Sequence, residues 1–134
     1  TTAERLKALD AEFHHRLEPL IGRRYLVFHD AYHYFEARYG LKPLGAVALS
    51  EARDPGARHI AELRERMAEE GVVCVFSEPQ FEPKLLEVVT EGTPARGATL
   101  DPLGAELEPG SDAYFALMEA LVVSLETCLG RPTE

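Results

Sequence analysis

Four short apolar runs, at residues 25–28, 44–49, 72–77 and more weakly 95–100, alternate with segments whose apolar residues recur every three or four positions. That rhythm constrains the fold more than any other feature of the chain. A run such as Tyr25-Leu-Val-Phe28, apolar at every position rather than at alternate ones, belongs to a strand covered on both faces, and strands separated by helices pair in parallel through right-handed crossovers. The pattern predicts an α/β fold: a four-stranded parallel sheet flanked by helices, with strands near 24–29, 44–49, 72–77 and 95–100. Residues 1–134 read as a single α/β domain, in which 1–22 form a leading helix and turn.

The helical segments carry their own punctuation. Leu6, Leu9, Phe13 and Leu17 make one stripe of an amphipathic helix that Pro19 and Gly22 end. His14 and His15 are adjacent within it, so they point to different sides and do not share a metal. Tyr32, Phe35 and Tyr39 have helical spacing and Gly40 supplies a stop. Asp54, Pro55 and Gly56 cap and open the next helix, with Ile60, Leu63 and Met67 as its stripe and Gly71 as its end. Pro83 starts a helix over 82–91, and Ser111 with Asp112 caps a last one that includes Phe115, Met118, Leu121, Val122, Leu125 and Leu129.

Composition narrows the partners. The 134 residues are 46% hydrophobic and 28% charged, enough for a real core. Fourteen basic against twenty-three acidic residues leave a formal charge of −9, which repels nucleic-acid phosphates and anionic membranes and favours cations or neutral molecules. No nucleic-acid partner and no membrane insertion are expected, since no run approaches the roughly 18 apolar residues of a membrane helix. The chain begins inside a helix without an initiating methionine, so a processed or truncated piece of something longer is one of two readings.

In a parallel sheet every strand's carboxyl end lies on one edge, and ligands bind in the crevice beyond it. That edge collects His29-Asp30 after the first strand, Ser50-Glu51 after the second, Ser77-Glu78 after the third and Asp101 after the fourth. Imidazole together with carboxylate suits a metal such as zinc, which accepts both and is usually four-coordinate. The alternative is structural: Asp30 and Asp101 capping turns, with His29 hydrogen-bonded in the crevice. His33 lies four residues after His29, but one belongs to the strand end and the other to a first helical turn. The phosphate-binding loop, His-Glu-x-x-His, Cys-x-x-Cys and Gly-x-Ser-x-Gly are absent. Cys74 and Cys128 are either two buried thiols or a bridge, which would stabilise by roughly 4 kcal/mol on a loop-entropy model and imply an oxidising compartment.

Several ordered motifs resemble one family. Tyr25-x-Val-Phe-His-Asp-Ala-Tyr-x-Tyr-Phe-Glu36, Leu41-x-Pro-Leu-Gly45, Val75-Phe-x-Glu-Pro-Gln-Phe81, Thr99-Leu-Asp-Pro-Leu-Gly104 and a late cysteine are similar to the carboxy-terminal lobe of the periplasmic solute-binding proteins of zinc-uptake ABC transporters. The resemblance covers nearly the whole chain. It implies one lobe of a two-lobed periplasmic protein that holds zinc in the cleft between lobes and delivers it to a membrane permease. The partners it implies are the amino-terminal lobe of the same protein and that permease. It further implies His29 as a metal ligand, Asp101 as an oxygen ligand beside it, and a disulfide between Cys74 and Cys128. Manganese-specific members carry a carboxylate where His29 stands, so imidazole favours zinc.

The chain departs from the family at His33, where glycine is expected; His33 is either an added ligand or a surface residue at the cleft mouth. The remaining family ligands belong to the other lobe, so four ligands do not assemble here. Two alternatives come from other classes. A receiver-like signalling domain needs an acidic pair after the first strand and a phosphorylatable aspartate after the third, where this chain has Ser77-Glu78. A metal-dependent hydrolase needs further ligands and an open water position beyond His29, Asp30 and Asp101.

Overall fold

A computed structural model describes residues 1–48 and 56–130. Strands β1 (Tyr25–Val27), β2 (Cys74–Ser77) and β3 (Arg96–Thr99) form a parallel sheet in the order β1-β2-β3. The register pairs Tyr25 with Cys74, Val27 with Phe76, Val75 with Gly97 and Ser77 with Thr99. Helices α1 (Thr2–Leu17), α2 (His33–Tyr39), α3 (Ala57–Glu70), α4 (Pro83–Thr90) and α5 (Ala113–Leu129) surround it.

The sheet divides the core into two clusters, and the period-2 alternation of strand side chains decides which residue joins which. Tyr25, Val27, Cys74 and Phe76 pack on one face with Phe13 and Leu17 of α1 and Leu121, Val122, Leu125 and Leu129 of α5. Leu26, Phe28 and Val75 pack on the other with Leu63 and Met67 of α3 and Val89 of α4. Both faces being covered is why β1 is apolar at every position and β2 at every position before Ser77. β3 is only half-buried, and its Gly97 exists for contact: a Cβ there would stand 2.7 Å from Leu86 Cδ2.

The expected fourth strand at 44–49 is a correction. Leu44 N donates to Tyr25 O at 2.8 Å, Val47 N to Val27 O at 2.8 Å and Ala48 N to Phe28 O at 2.8 Å, so the segment does run parallel along β1. Yet among the described residues it forms a single bridge, Val27 to Ala46, and the sheet has three strands. Pro43 has no N–H to offer, and Gly45, Ala46 and Ala48 present little side chain to hold a ladder flat. Residue 49, the strand end Ser50-Glu51 and the cap Asp54-Pro55 lie outside the described residues.

Helix ends follow the sequence signals with two adjustments. Gly40 and Gly71 end α2 and α3 in the left-handed conformation, with φ of 76° and 67°. The second helix, whose aromatic spacing starts at Tyr32, begins at His33 because Ala31 N is turned back onto His29 O at 2.9 Å. Asp112 occupies the cap position of α5 but makes no side-chain cap bond; its Oδ1 accepts from Arg5 Nη1 at 3.0 Å.

The carboxyl end of α5 is pinned to the sheet. Cys74 and Cys128 are bridged, with Cα atoms 6.1 Å apart across 54 residues of sequence. Arg96 Nη2 donates to Cys128 O at 2.9 Å and Arg23 Nη1 to Leu129 O, placing two cations at the negative end of the helix dipole.

Candidate metal centre

Each strand delivers one polar residue to the carboxyl edge as the ladder ends. Phe28 N still donates to Phe76 O at 2.9 Å, and the next residue, His29, leaves the sheet in a tight turn. Its side chain is 27% exposed. Glu78 follows β2 directly; Phe81 N closes a turn onto its carbonyl at 3.1 Å, and its side chain is 5% exposed. His29 Nδ1 lies 3.3 Å from both carboxylate oxygens of Glu78. Tyr32, itself buried, donates its hydroxyl to Glu78 Oε2 at 3.2 Å.

Asp101 stands two residues past the end of β3, half-buried on the same edge. Its Oδ1 accepts from Leu103 N at 3.0 Å and its Oδ2 from Ala105 N at 2.7 Å, so the carboxylate organises the turn that follows. Each oxygen has a second lone pair. Asp101 is also near enough to Tyr32 to act on it electrostatically. Burial first, then the charge and hydrogen bond of Glu78, then the charge of Asp101 push the Tyr32 phenol well above its ordinary range, so it remains a donor.

Beneath this layer lies a second buried carboxylate. Glu36 accepts from the hydroxyl of Tyr25. Burial raises its pKa, the bond from Tyr25 opposes that rise, and the charge of exposed Asp30 adds to it. His33 begins α2, is exposed, and packs its ring against Tyr34 with centroids 4.2 Å apart. His29 lies before the helix, so the two imidazoles do not share a helical face.

The structure thus joins His29 to Glu78 and Glu78 to Tyr32, with Asp101 beside Tyr32. Among the described residues no three His, Cys, Asp or Glu side chains converge as a metal-holding group, so His29, His33 and Asp101 do not form one by themselves. Glu78 was visible in sequence as a polar strand end; its contact with His29 was not. Tyr32, legible in sequence only through its helical spacing, is buried, and its hydroxyl serves the rim.

Comparison with known proteins agrees with this architecture. Residues 1–128 match the family described as ZnuA, zinc-uptake complex component A, periplasmic. The chain is 47% identical over 128 residues to the high-affinity zinc uptake system protein ZnuA of Brucella suis biovar 1 (strain 1330), covering 96% of this chain and 38% of that protein. Among solved structures, the crystal structure of a ZnuA superposes with a TM-score of 0.75 at 26% identity, over 95% of this chain and 45% of the other. The laminin-binding protein Lmb of Streptococcus agalactiae, described as bifunctional with adhesin and metal-transporting activity, gives 0.78 at 26% identity, over 94% of this chain and 48% of the other. The chain therefore spans about two-fifths of the length of the Brucella suis relative. With a parallel sheet, a histidine and two carboxylates on its carboxyl edge and a family match over residues 1–128, the chain belongs to the ZnuA family of periplasmic zinc-uptake components.

Proposed function

We propose that this chain is the carboxy-terminal lobe of a two-lobed periplasmic protein that captures Zn²⁺ and hands it to the permease of an ABC transporter. Residues 1–134 act as one lobe, with 1–22 as its leading helix and turn. His29 supplies an imidazole nitrogen to the ion and Asp101 an oxygen, while His33 stands at the cleft mouth as a candidate addition to the shell. The remaining ligands come from the amino-terminal lobe, and zinc is the cargo rather than a resident cofactor.

The observation that carries this reading is the placement of a partly exposed imidazole and a carboxylate at the carboxyl ends of β1 and β3 in a chain of this family. Imidazole and carboxylate both ligate zinc, and neutral imidazole in place of a further carboxylate favours it over harder ions. The carboxylate of Glu78 beside His29 suits a cation. The relatives are named for zinc uptake rather than for catalysis.

Zinc titration of the two-lobed protein with and without His29→Ala tests the assignment. Affinity is expected to fall by more than about 100-fold, since groups that only support a ligand are worth about 10–100-fold. Unchanged affinity would remove His29 from the site and the zinc-capture reading with it.

A further inference from the structure

We propose that Glu78 is a positioning residue for zinc capture: its buried carboxylate selects the Nδ1–H tautomer of His29 and so presets Nε2 as the nitrogen that meets the ion. This rests on the reading that His29 ligates zinc. The geometry comes from three elements. Nδ1 lies 3.3 Å from both oxygens of Glu78, so the ring edge faces the carboxylate symmetrically. An ionised carboxylate only accepts, so the nitrogen facing it carries the proton, and a neutral imidazole then has its lone pair on the opposite nitrogen.

Glu78 is itself held. Tyr32 donates to Oε2 at 3.2 Å, Phe81 N anchors its carbonyl at 3.1 Å, and Leu100 N ties the preceding Ser77 carbonyl to the end of β3 at 2.8 Å. A buried acceptor supported on both sides orients the ring before the ion arrives. Ion binding then needs no tautomer exchange. Tyr32 acts one step further out by fixing Glu78.

The test uses the intact two-lobed protein with ¹⁵N-labelled histidine, the His29 signals being identified by their loss in His29→Ala. Long-range ¹H–¹⁵N spectra of the zinc-free protein should show His29 in the Nδ1–H form. Glu78→Gln, whose amide either accepts from or donates to Nδ1, should give a mixture of tautomers and a zinc affinity lower by about 10–100-fold. Tyr32→Phe should shift both readouts in the same direction and by less, and it carries the test if Glu78→Gln does not fold. An Nε2–H form in the parent overturns the proposal, as does a folded Glu78→Gln with unchanged tautomer and affinity. If His29→Ala weakens zinc while Glu78→Gln does not, only the role of Glu78 fails. If His29→Ala leaves zinc unchanged, the capture reading fails first, and the tautomer spectra still judge whether Glu78 sets the ring.

Discussion

Gly97 shows how much a single position can decide. It faces α4 from β3, and a Cβ there would lie 2.7 Å from Leu86 Cδ2 and 3.0 Å from Leu86 Cγ. Leu86 is a flexible, half-buried side chain that can turn aside, so Gly97→Ala should destabilise the fold by no more than about 1 kcal/mol, partly offset by alanine's smaller loss of backbone entropy. Urea unfolding measures this, and Leu86→Ala in the same chain should cost less on the Gly97→Ala background than on the parent, because the two side chains compete for one space. Full additivity would show that the clash is relieved elsewhere. His29 and Asp101 were legible from sequence as residues on one rim, since a parallel sheet sends its strand ends to the same edge. The contact of His29 with Glu78 was not legible, because it depends on the separation and side-chain rotamers of two strands that are neighbours in space and 49 residues apart in sequence.

At the scale of elements, the helices that cover one face are joined by polar contacts between distant segments. Arg16 of α1 holds both oxygens of Glu119 at 2.8 Å and also pairs with Glu126, both on α5, and these carboxylates keep its guanidinium charged. Asp10 of α1 accepts from Arg38 Nε at 3.1 Å, from Arg38 Nη2 at 2.6 Å and from Tyr39 Oη at 2.9 Å, with His14 Nε2 3.7 Å away. The Arg38 bonds first, then the Tyr39 bond, hold the Asp10 carboxyl down at about 2 from an ordinary 3.8. Because the folded value lies below the unfolded one, this contribution is complete above about 4 and fades as pH falls toward 2. Tyr39 is pushed up to about 12 by burial and by Asp10, so the clasp also weakens once pH exceeds the ordinary phenol value of 10.0. Asp10→Asn should lower the melting temperature at pH 6 and converge on the parent near pH 2; a constant difference across that range would assign the effect to packing. The Cys74–Cys128 bridge closes 54 residues, and reduction should cost up to about 4 kcal/mol, read as a shift in the urea midpoint of a Cys74→Ala, Cys128→Ala variant. Both cysteines were visible in sequence. Their pairing came from family resemblance, since spacing leaves buried thiols equally open until β2 and the end of α5 are seen side by side.

For the whole molecule, the proposal that this chain supplies only part of a zinc site predicts weak binding. Zinc is usually four-coordinate, and among the described residues no group of three or more potential ligands converges. Isothermal calorimetry should find zinc bound to this chain at least about 100-fold more weakly than to the two-lobed protein. Binding as tight as the parent's and unaffected by His29→Ala would place the cation elsewhere. The sequence by itself determined the α/β class, the parallel direction of the strands and the rim that gathers His29, Glu78 and Asp101, because burial on both faces and the βα alternation are written in local composition. It overcounted the strands: residues 44–48 have the apolar character of a strand and hydrogen-bond along β1, but among the described residues they form one bridge, Val27 to Ala46, and no named strand. Only the tertiary structure decided that Tyr32 and Glu78 stand behind His29, that Asp112 serves Arg5 instead of its own helix, and that the Cys74–Cys128 bridge and Arg96 meet at the end of α5. Each of these is a contact between segments distant in sequence, set by how helices settle on a twisted sheet, and no local periodicity encodes it.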